Sequence, residues 1–199
     1  IVLGYGQTNG SPEIRQRIAA LYSDQNTDNV LVTNGSAEAN FVACHTLLEP
    51  NDDVVMMVPN YMQIWGIGHN YGYRVKAFHL NAEQGWVPDL NELNERITEK
   101  TKLVVINSPS NPTGVAYTEQ ELAELGAVLL EHPRIIVATD DMYEHIRWDK
   151  STPFVNILNA CPDLADRTLV LNGVSKAYAM TGWRIGYAGG PVGIIKAMK

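Results

Sequence analysis

The sequence predicts an α/β fold in which a mostly parallel mixed sheet is covered by helices on both faces. Two observations carry this prediction. Five short runs are almost continuously apolar, and patterns typical of helices fill the gaps between them. Strands that are apolar on both sides belong in a sheet with both faces covered, which usually means parallel strands joined by helical crossovers. The predicted strands are residues 29–33, 53–58, 102–107, 134–140 and 167–173.

The first predicted helix begins at Ser11-Pro12-Glu13, which supplies an N-cap, a proline at the first helical position and an early acid. Ile14, Ile18 and Leu21 continue its apolar stripe. Further helices are predicted over residues 36–48, 89–97 and 118–130, and a helical pattern begins in the segment 191–199. No internal repeat or low-complexity tract interrupts this alternation, so we expect one domain.

The composition argues against several classes of function. The 199 residues include 15 Lys and Arg against 22 Asp and Glu, a net charge of -7 that opposes binding to nucleic acid or anionic lipid. No apolar run approaches the ~20 residues of a membrane span. The five histidines show no ligand spacing, so no metal site is expected. Cys44 and Cys161 lack a CxxC partner and are expected to be free thiols in a cytoplasmic protein.

Candidate ligand-binding residues follow the predicted strands, because open α/β sheets bind ligands beyond the carboxyl ends of their strands. Asn34-Gly35-Ser36-Ala37 follows the first strand and leads directly into a helix. Small residues at a helix N-terminus let backbone N–H groups approach a phosphate, and the helix dipole favours the anion. The same residues could serve only as caps.

Two further segments follow the third and fourth predicted strands. The stiff segment "SPSNPTG" at 108–114 could aim the amide of Asn111 at a ligand, although a plain tight turn would also explain it. Asp140 lies where a strand leaves the core, so its carboxylate requires a cationic partner or several donors. The alternative is a helix cap, which Asp141 could supply unaided.

Ser175-Lys176 follows the last predicted strand, and Arg184 comes eight positions later. A lysine in a crevice at a sheet edge can be partly desolvated, which lowers its pKa and makes the neutral amine a nucleophile toward carbonyls. Successive strand ends therefore offer a phosphate cradle, an amide, a carboxylate beside the phenol of Tyr143, and an amine. This combination has a use in pyridoxal 5'-phosphate chemistry.

Three longer segments make the chain resemble the fold-type I pyridoxal phosphate-dependent aminotransferases of class I and II, the aspartate aminotransferase family. They are "NSPSNPTG" (107–114), "DDMYEHI" (140–146) and "SKAYAMTGWRIGY" (175–187), in the family's order and separation. The resemblance runs from Tyr5 to the end and implies the fold of the family's large domain. It also implies that an amino group passes between an amino acid and a 2-oxo acid.

The resemblance implies a role for each candidate residue. Lys176 would form an aldimine with pyridoxal phosphate and then shuttle a proton, and Asp140 would pair with the ring nitrogen. Asn111 and Tyr143 would bind the ring hydroxyl oxygen, while Tyr61 and Met142 would cover the two faces of the ring. The phosphate would be held by Gly35, Ser36, Ala37, Ser175 and Arg184. Tyr5 would reach the phosphate of a neighbouring subunit, which implies a homodimer.

The chain departs from the family pattern in two respects. Gly173 stands where many relatives have a phosphate-binding serine. Residues 1–199 are expected to be the cofactor-binding large domain, with the small C-terminal domain and the N-terminal arm lying outside the chain.

Val58-Pro59 and Asn111-Pro112 stand where relatives have cis prolines, so at least one is expected to be cis.

Two alternatives stay open at the level of sequence. Another fold-type I enzyme, such as a β-lyase, decarboxylase or oxidase, would use the same cofactor site. An aminotransferase-like sensor domain of a transcriptional regulator would carry the same motifs behind a DNA-binding domain.

Overall fold

The chain forms one eight-stranded mixed sheet with helices on both faces, in a computed structural model that describes residues 4–149, 151 and 153–199. The spatial order of the strands is β1-β8-β7-β6-β5-β2-β3-β4. Five strands, β3, β2, β5, β6 and β7, pair in parallel, whereas β8 is antiparallel to both of its neighbours. The strands are Val30–Asn34 (β1), Asp53–Val58 (β2), Arg74–Asn81 (β3), Val87–Pro88 (β4), Thr101–Asn107 (β5), Ile136–Asp140 (β6), Thr168–Gly173 (β7) and Ile185–Gly189 (β8).

The helices begin where the sequence supplies caps. The Ser11 side chain accepts a hydrogen bond from the N–H of Ile14, and Thr118 forms a reciprocal capping box with Glu121. The seven α-helices of the described residues are Pro12–Ala19 (α1), Ser36–Leu47 (α2), Gln63–Tyr71 (α3), Leu90–Arg96 (α4), Glu119–Leu130 (α5), Ile157–Ala160 (α6) and Val192–Ala197 (α7).

Two large apolar clusters hold the layers together, one on each face of the sheet. Helices α2, α3 and α7 pack on one face through residues such as Ala43, Ile64 and Ile195. Helices α4, α5 and α6 pack on the other through residues such as Leu93 and Leu125. Burial of both sheet faces explains why the central strands are nearly continuous apolar runs.

All five predicted strands are confirmed within one or two residues at their ends. The helices predicted over 36–48, 89–97 and 118–130 are also confirmed. No sequence pattern predicted α3, α6, β3, β4 or β8. β8 carries three small residues among five, and β3 alternates charged with apolar residues, so neither gives the continuous apolar signal of a central strand.

The state of the two cysteines and the lengths of the helices bear on the classes of protein considered above. Cys44 and Cys161 are both free and buried. Across the described residues, none of the helices has the length and apolar character needed to cross a membrane.

Candidate active site

A cavity of about 220 Å³ opens at the carboxyl edge of the sheet, on the side where the sequence places its candidate residues. Fourteen residues from six segments of the chain line it. They are Ser36, Ala37, Asn40, Tyr61, Gln63, Asn107, Asn111, Asp140, Met142, Tyr143, Ser175, Lys176, Thr181 and Arg184.

Strand direction explains why these segments meet. β2, β5, β6 and β7 run parallel, so their carboxyl ends share one edge, and β1 runs in the same direction because β8 is antiparallel to both β1 and β7. The reversed β8 begins at this same edge. Arg184, which immediately precedes β8, is therefore delivered to the cavity.

One end of the cavity is built to receive an anion. Helix α2 begins there without a side-chain cap among the described residues, so its first N–H groups and its dipole face the cavity. The guanidinium of Arg184 donates to the carbonyl oxygens of Thr181 (2.9 Å) and Asn34 (3.3 Å). Gly35 has φ +83°, and a Cβ at this position would overlap that guanidinium. A planar cation beside a helix N-terminus fits a phosphate.

Asp140 provides a carboxylate at the floor of the cavity. Burial raises the pKa of this carboxyl to about 6, while a hydrogen bond from the N–H of Met142 (3.1 Å) opposes the rise. The salt bridges within the described residues include none to Asp140. A desolvated carboxylate of this kind gains most from a cationic N–H group of a ligand.

Asn111 and Tyr143 meet beside Asp140. The side-chain amide of Asn111 donates to the hydroxyl oxygen of Tyr143 over 3.3 Å. Burial and the charge of Asp140 raise the pKa of the Tyr143 phenol, and the Asn111 bond lowers it. An amide N–H and a phenol O–H are thus aimed at one place, where they can both donate to a single ligand oxygen.

Lys176, Ser175, Met142 and Tyr61 complete the lining of the cavity, and they differ widely in exposure. Lys176 is exposed, contrary to the expected partial desolvation, whereas the neighbouring Ser175 is buried. Met142 is buried, and Tyr61 is 52% exposed. The amine is therefore free to reach a ligand that enters the cavity.

The structure brings together nearly all of the predicted site residues. Gly35 does not line the cavity but shapes it through its contact with Arg184. Tyr5 is fully exposed and lies outside this cavity, so its predicted role in a neighbouring subunit stays a prediction.

The prolines and Gly173 show how backbone shapes the surroundings of the cavity. Both predicted bonds, Val58-Pro59 and Asn111-Pro112, are cis, and so is Ser108-Pro109. A Cβ at Gly173 would lie 2.7 Å from the carbonyl oxygen of Ile185. A serine at this position would therefore require β8 to move away.

Four lining residues were missed by the sequence analysis: Asn40, Gln63, Asn107 and Thr181. Asn107 had a signal, since it is a polar residue at the end of an apolar strand and directly precedes the segment 108–114. Asn40 lies inside α2 and Gln63 is the first residue of α3, and a polar residue in a helix gives no comparable signal. Asn40 donates to Gln63, which donates to the carbonyl oxygen of Ala37.

Comparison with known proteins agrees with this geometry. Residues 2–199 match the family "Aminotransferase class I and II". The aspartate/prephenate aminotransferase of Nitrosomonas europaea is 42% identical over 98% of this chain and 50% of its own length. The crystal structure of the aspartate aminotransferase from Rhizobium meliloti superposes with a TM-score of 0.92 at 40% identity, over 98% of this chain and 50% of that one.

A further solved structure, the Thermus thermophilus aspartate aminotransferase with maleate, is 33% identical with a TM-score of 0.88. It is covered over 51% of its length, and 98% of this chain is matched. The chain spans about half the length of the curated relatives it matches.

Proposed function

The chain belongs to the class I and II aminotransferases, and we propose that the protein transfers an amino group between an amino acid and a 2-oxo acid with pyridoxal 5'-phosphate bound in the cavity. The observation that carries this proposal is the convergence of Lys176, Asp140 and Arg184 on one cavity. An amine, a desolvated carboxylate and a phosphate-binding fork match the three parts of this cofactor that need a partner.

The donors present fit the cofactor. Arg184, Ser175 and the start of α2 at Gly35, Ser36 and Ala37 would hold the phosphate. Tyr61 and Met142, which both line the cavity, would cover the faces of the ring. When bound, pyridoxal phosphate supplies an aldehyde that reacts with amines and a ring that withdraws electrons.

Asp140, Asn111 and Tyr143 would set the electronic state of that ring. The Asp140 carboxylate would hold a proton on the ring nitrogen, because the resulting ion pair relieves the desolvation that raises the pKa of Asp140. Asn111 Nδ2 and the Tyr143 hydroxyl would donate to the ring oxygen, for which their mutual contact of 3.3 Å already aligns them.

Lys176 would perform the proton transfer. Its Nζ would hold the cofactor through the aldehyde group. As a free amine, Lys176 Nζ would act as the general base that takes up a proton from the substrate Cα and as the general acid that gives it back. Its exposed position leaves it the freedom this exchange requires.

The partners follow from the same proposal. Relatives are named for aspartate and prephenate, so amino acids and 2-oxo acids are the proposed substrates. A second copy of the chain would supply its Tyr5 to the phosphate, which accounts for the full exposure of this side chain. A cytoplasmic setting, expected from two free thiols, is part of the proposal.

A half-reaction with the intact protein tests the function. The protein loaded with pyridoxal phosphate is mixed with single amino acids, and pyridoxamine phosphate is followed by absorbance while mass spectrometry identifies the other product. Formation of the matching 2-oxo acid supports the proposal. Release of carbon dioxide would instead indicate decarboxylation, and release of ammonia with a 2-oxo acid that has lost the β-substituent would indicate β-elimination.

A further inference from the structure

We propose that Asn107 is a positioning residue that holds Asp140 and Asn111 in a fixed relation to each other across the floor of the cavity. This inference rests on the proposed function, since it assigns both groups to one cofactor. Asn107 itself belongs to none of the motif positions identified above as binding the cofactor.

The geometry places Asn107 between the two groups. It is the last residue of β5, lies directly opposite Asp140 in the register of β5 and β6, and is only 1% exposed. Its Nδ2 donates to the main-chain carbonyl oxygen of Asp140 over 2.8 Å. Its Oδ1 accepts from the main-chain N–H of Asn111 over 2.7 Å.

These bonds take over where the regular sheet ends. Asn107 and Asp140 form the last residue pair between β5 and β6. Beyond them the chain enters the segment 108–114 on one side and the turn that carries Tyr143 on the other, and the two segments no longer pair with each other as strands. A primary amide carries donor and acceptor on one rigid plane. One side chain therefore ties both loops to the end of the sheet.

The position of these loops controls what faces the cofactor. The Asn111 side chain reaches Tyr143, and the Asp140 carboxylate belongs to the residue whose carbonyl Asn107 holds. Loss of the Asn107 amide would remove one bond from each loop at once, although the N–H of Asp141 would still donate to the carbonyl oxygen of Leu171. It would also leave a buried carbonyl and a buried N–H without their partner, which is a costly state.

The test compares Asn107→Leu and Asn107→Asp with Asn29→Leu in the intact protein. Asn29 is a matched control because its side chain also bridges two main-chain groups, donating to Gly190 O (2.8 Å) and accepting from the Asn26 N–H (3.0 Å). Asn29 precedes β1, at the opposite edge of the sheet from the cavity. Loss of the same bonds there should leave the cavity intact.

Affinity for pyridoxal phosphate, measured by absorbance titration of the cofactor-free protein, is the first measurement. Asn107→Leu, which removes both side-chain bonds, is expected to weaken it about tenfold, whereas Asn29→Leu leaves it unchanged. Asn107→Asp should approach wild-type affinity as the pH is lowered, because a protonated carboxyl again offers a donor and an acceptor. A merely structural role would not produce this pH-dependent rescue.

Amide hydrogen exchange in the cofactor-free protein is the second measurement, and it does not depend on the function. The Asn111 N–H should exchange faster in Asn107→Leu than in wild type or in Asn29→Leu. If wild type fails to bind pyridoxal phosphate, the proposed function is wrong, and exchange at Asn111 still decides whether Asn107 holds this loop.

Two results would overturn the proposal. One is an Asn107→Leu protein that binds the cofactor as tightly as wild type, with unchanged exchange at Asn111. The other is an equal loss of affinity in Asn107→Leu and Asn29→Leu, which would assign the effect to general destabilisation. Should Asn107→Leu fail to fold, the pH-dependent affinity of Asn107→Asp decides alone, and a wild-type pH profile would reject the proposal.

Discussion

The side-chain amide of Asn111 lies 3.3 Å from the hydroxyl oxygen of Tyr143, so the loops that follow two neighbouring strands meet at one point of the cavity. Asn111 follows β5 and Tyr143 follows β6, and 32 positions of sequence separate them. Neither residue alone distinguishes a turn from a site. Their contact places both groups side by side in the cavity, where under the proposed function they would donate to the same ligand atom.

Replacement of Lys176 tests the covalent attachment of the cofactor. Lys176→Ala is expected to abolish the visible absorbance of bound pyridoxal phosphate and its borohydride-dependent attachment to the protein, because no other amine lines the cavity formed by the described residues. Peptide mapping after reduction locates the attachment. Lys196→Ala, on the exposed last turn of α7, is the control. A labelled Lys196 or Lys199 in the wild-type protein would show that Lys176 is wrongly assigned.

Stability of the cofactor-free protein should depend on the ionisation of Asp140. Its pKa is about 6 in the folded state, against ~3.9 in an unfolded chain, so between these values the folded state binds more protons. Stability therefore falls as the pH rises through this window, by up to about 3 kcal/mol in total. Asp140→Asn removes this contribution.

Urea unfolding of cofactor-free wild type and Asp140→Asn near pH 4 and pH 7 measures the contribution of Asp140 to the free energy of unfolding. The Asn variant should gain on the wild type as the pH rises, and saturating pyridoxal phosphate should reverse the difference, since the ring nitrogen then provides a cation. A difference between the two proteins that stays constant with pH would contradict the prediction.

A methyl group at Gly35 should weaken phosphate binding. Gly35→Ala places a Cβ against the guanidinium of Arg184, whereas a Cβ at Gly85 meets open space. Both glycines have positive φ, +83° and +76°, but ψ is 165° at Gly35 and 28° at Gly85. An alanine is therefore more strained at Gly35, whose backbone conformation is essentially restricted to glycine, than in the left-handed conformation of Gly85. Gly85→Ala is the control for an alanine at positive φ away from the cavity.

Titration with pyridoxal phosphate measures how the added methyl group changes the affinity for the cofactor. Gly35→Ala is expected to bind about tenfold more weakly, because the displaced Arg184 loses a charge-assisted contact, and Gly85→Ala should bind as wild type does. Equal affinities in the two variants would show that Arg184 does not bind the phosphate of the cofactor.

Asp53 should matter for stability but not for cofactor binding. This buried carboxylate at the start of β2 pairs with Arg74 and Lys76, each at 2.6 Å, and accepts from Thr98. Burial alone would raise its pKa, but the bonds from Lys76, Thr98 and Arg74 together lower it. Its stabilising effect is therefore present at neutral pH and is lost as the pH falls through the lowered pKa.

Asp53→Ala is expected to lower the free energy of unfolding by about 2 kcal/mol, because it removes the charge-assisted bonds that Arg74, Lys76 and Thr98 donate to a buried carboxylate, whereas the two partly exposed cations regain water. Glu13→Ala, which breaks the exposed Glu13–Arg17 pair, should cost less than about 1 kcal/mol. Chemical denaturation measures both. Asp53 lies at the amino end of its strand, at the sheet edge opposite the cavity, so its loss should leave the affinity for the cofactor unchanged. Weaker cofactor binding in Asp53→Ala would contradict this prediction.

The local features of the fold could be predicted because short stretches of sequence determine them. The interior of a doubly covered strand must be apolar, as in residues 54–58 of β2, and a helix that begins at Ser11-Pro12 carries its own cap. Asn111, Asp140 and Lys176 could be selected for the same reason, since each is a polar residue at the end of a predicted strand or within four residues after it.

Strand order and strand direction were decided only by the tertiary structure. The five small or apolar residues of β8 are compatible with either direction, and their antiparallel pairing with β1 and β7 is what brings Arg184 to the cavity. The Asn107 bridge depends likewise on the register of β5 with β6. Such pairings join residues far apart in sequence, so their free energy depends on contacts that no local pattern contains. The sequence by itself determined which chemical groups the protein has to offer; the long-range pairing of strands determined which of them meet.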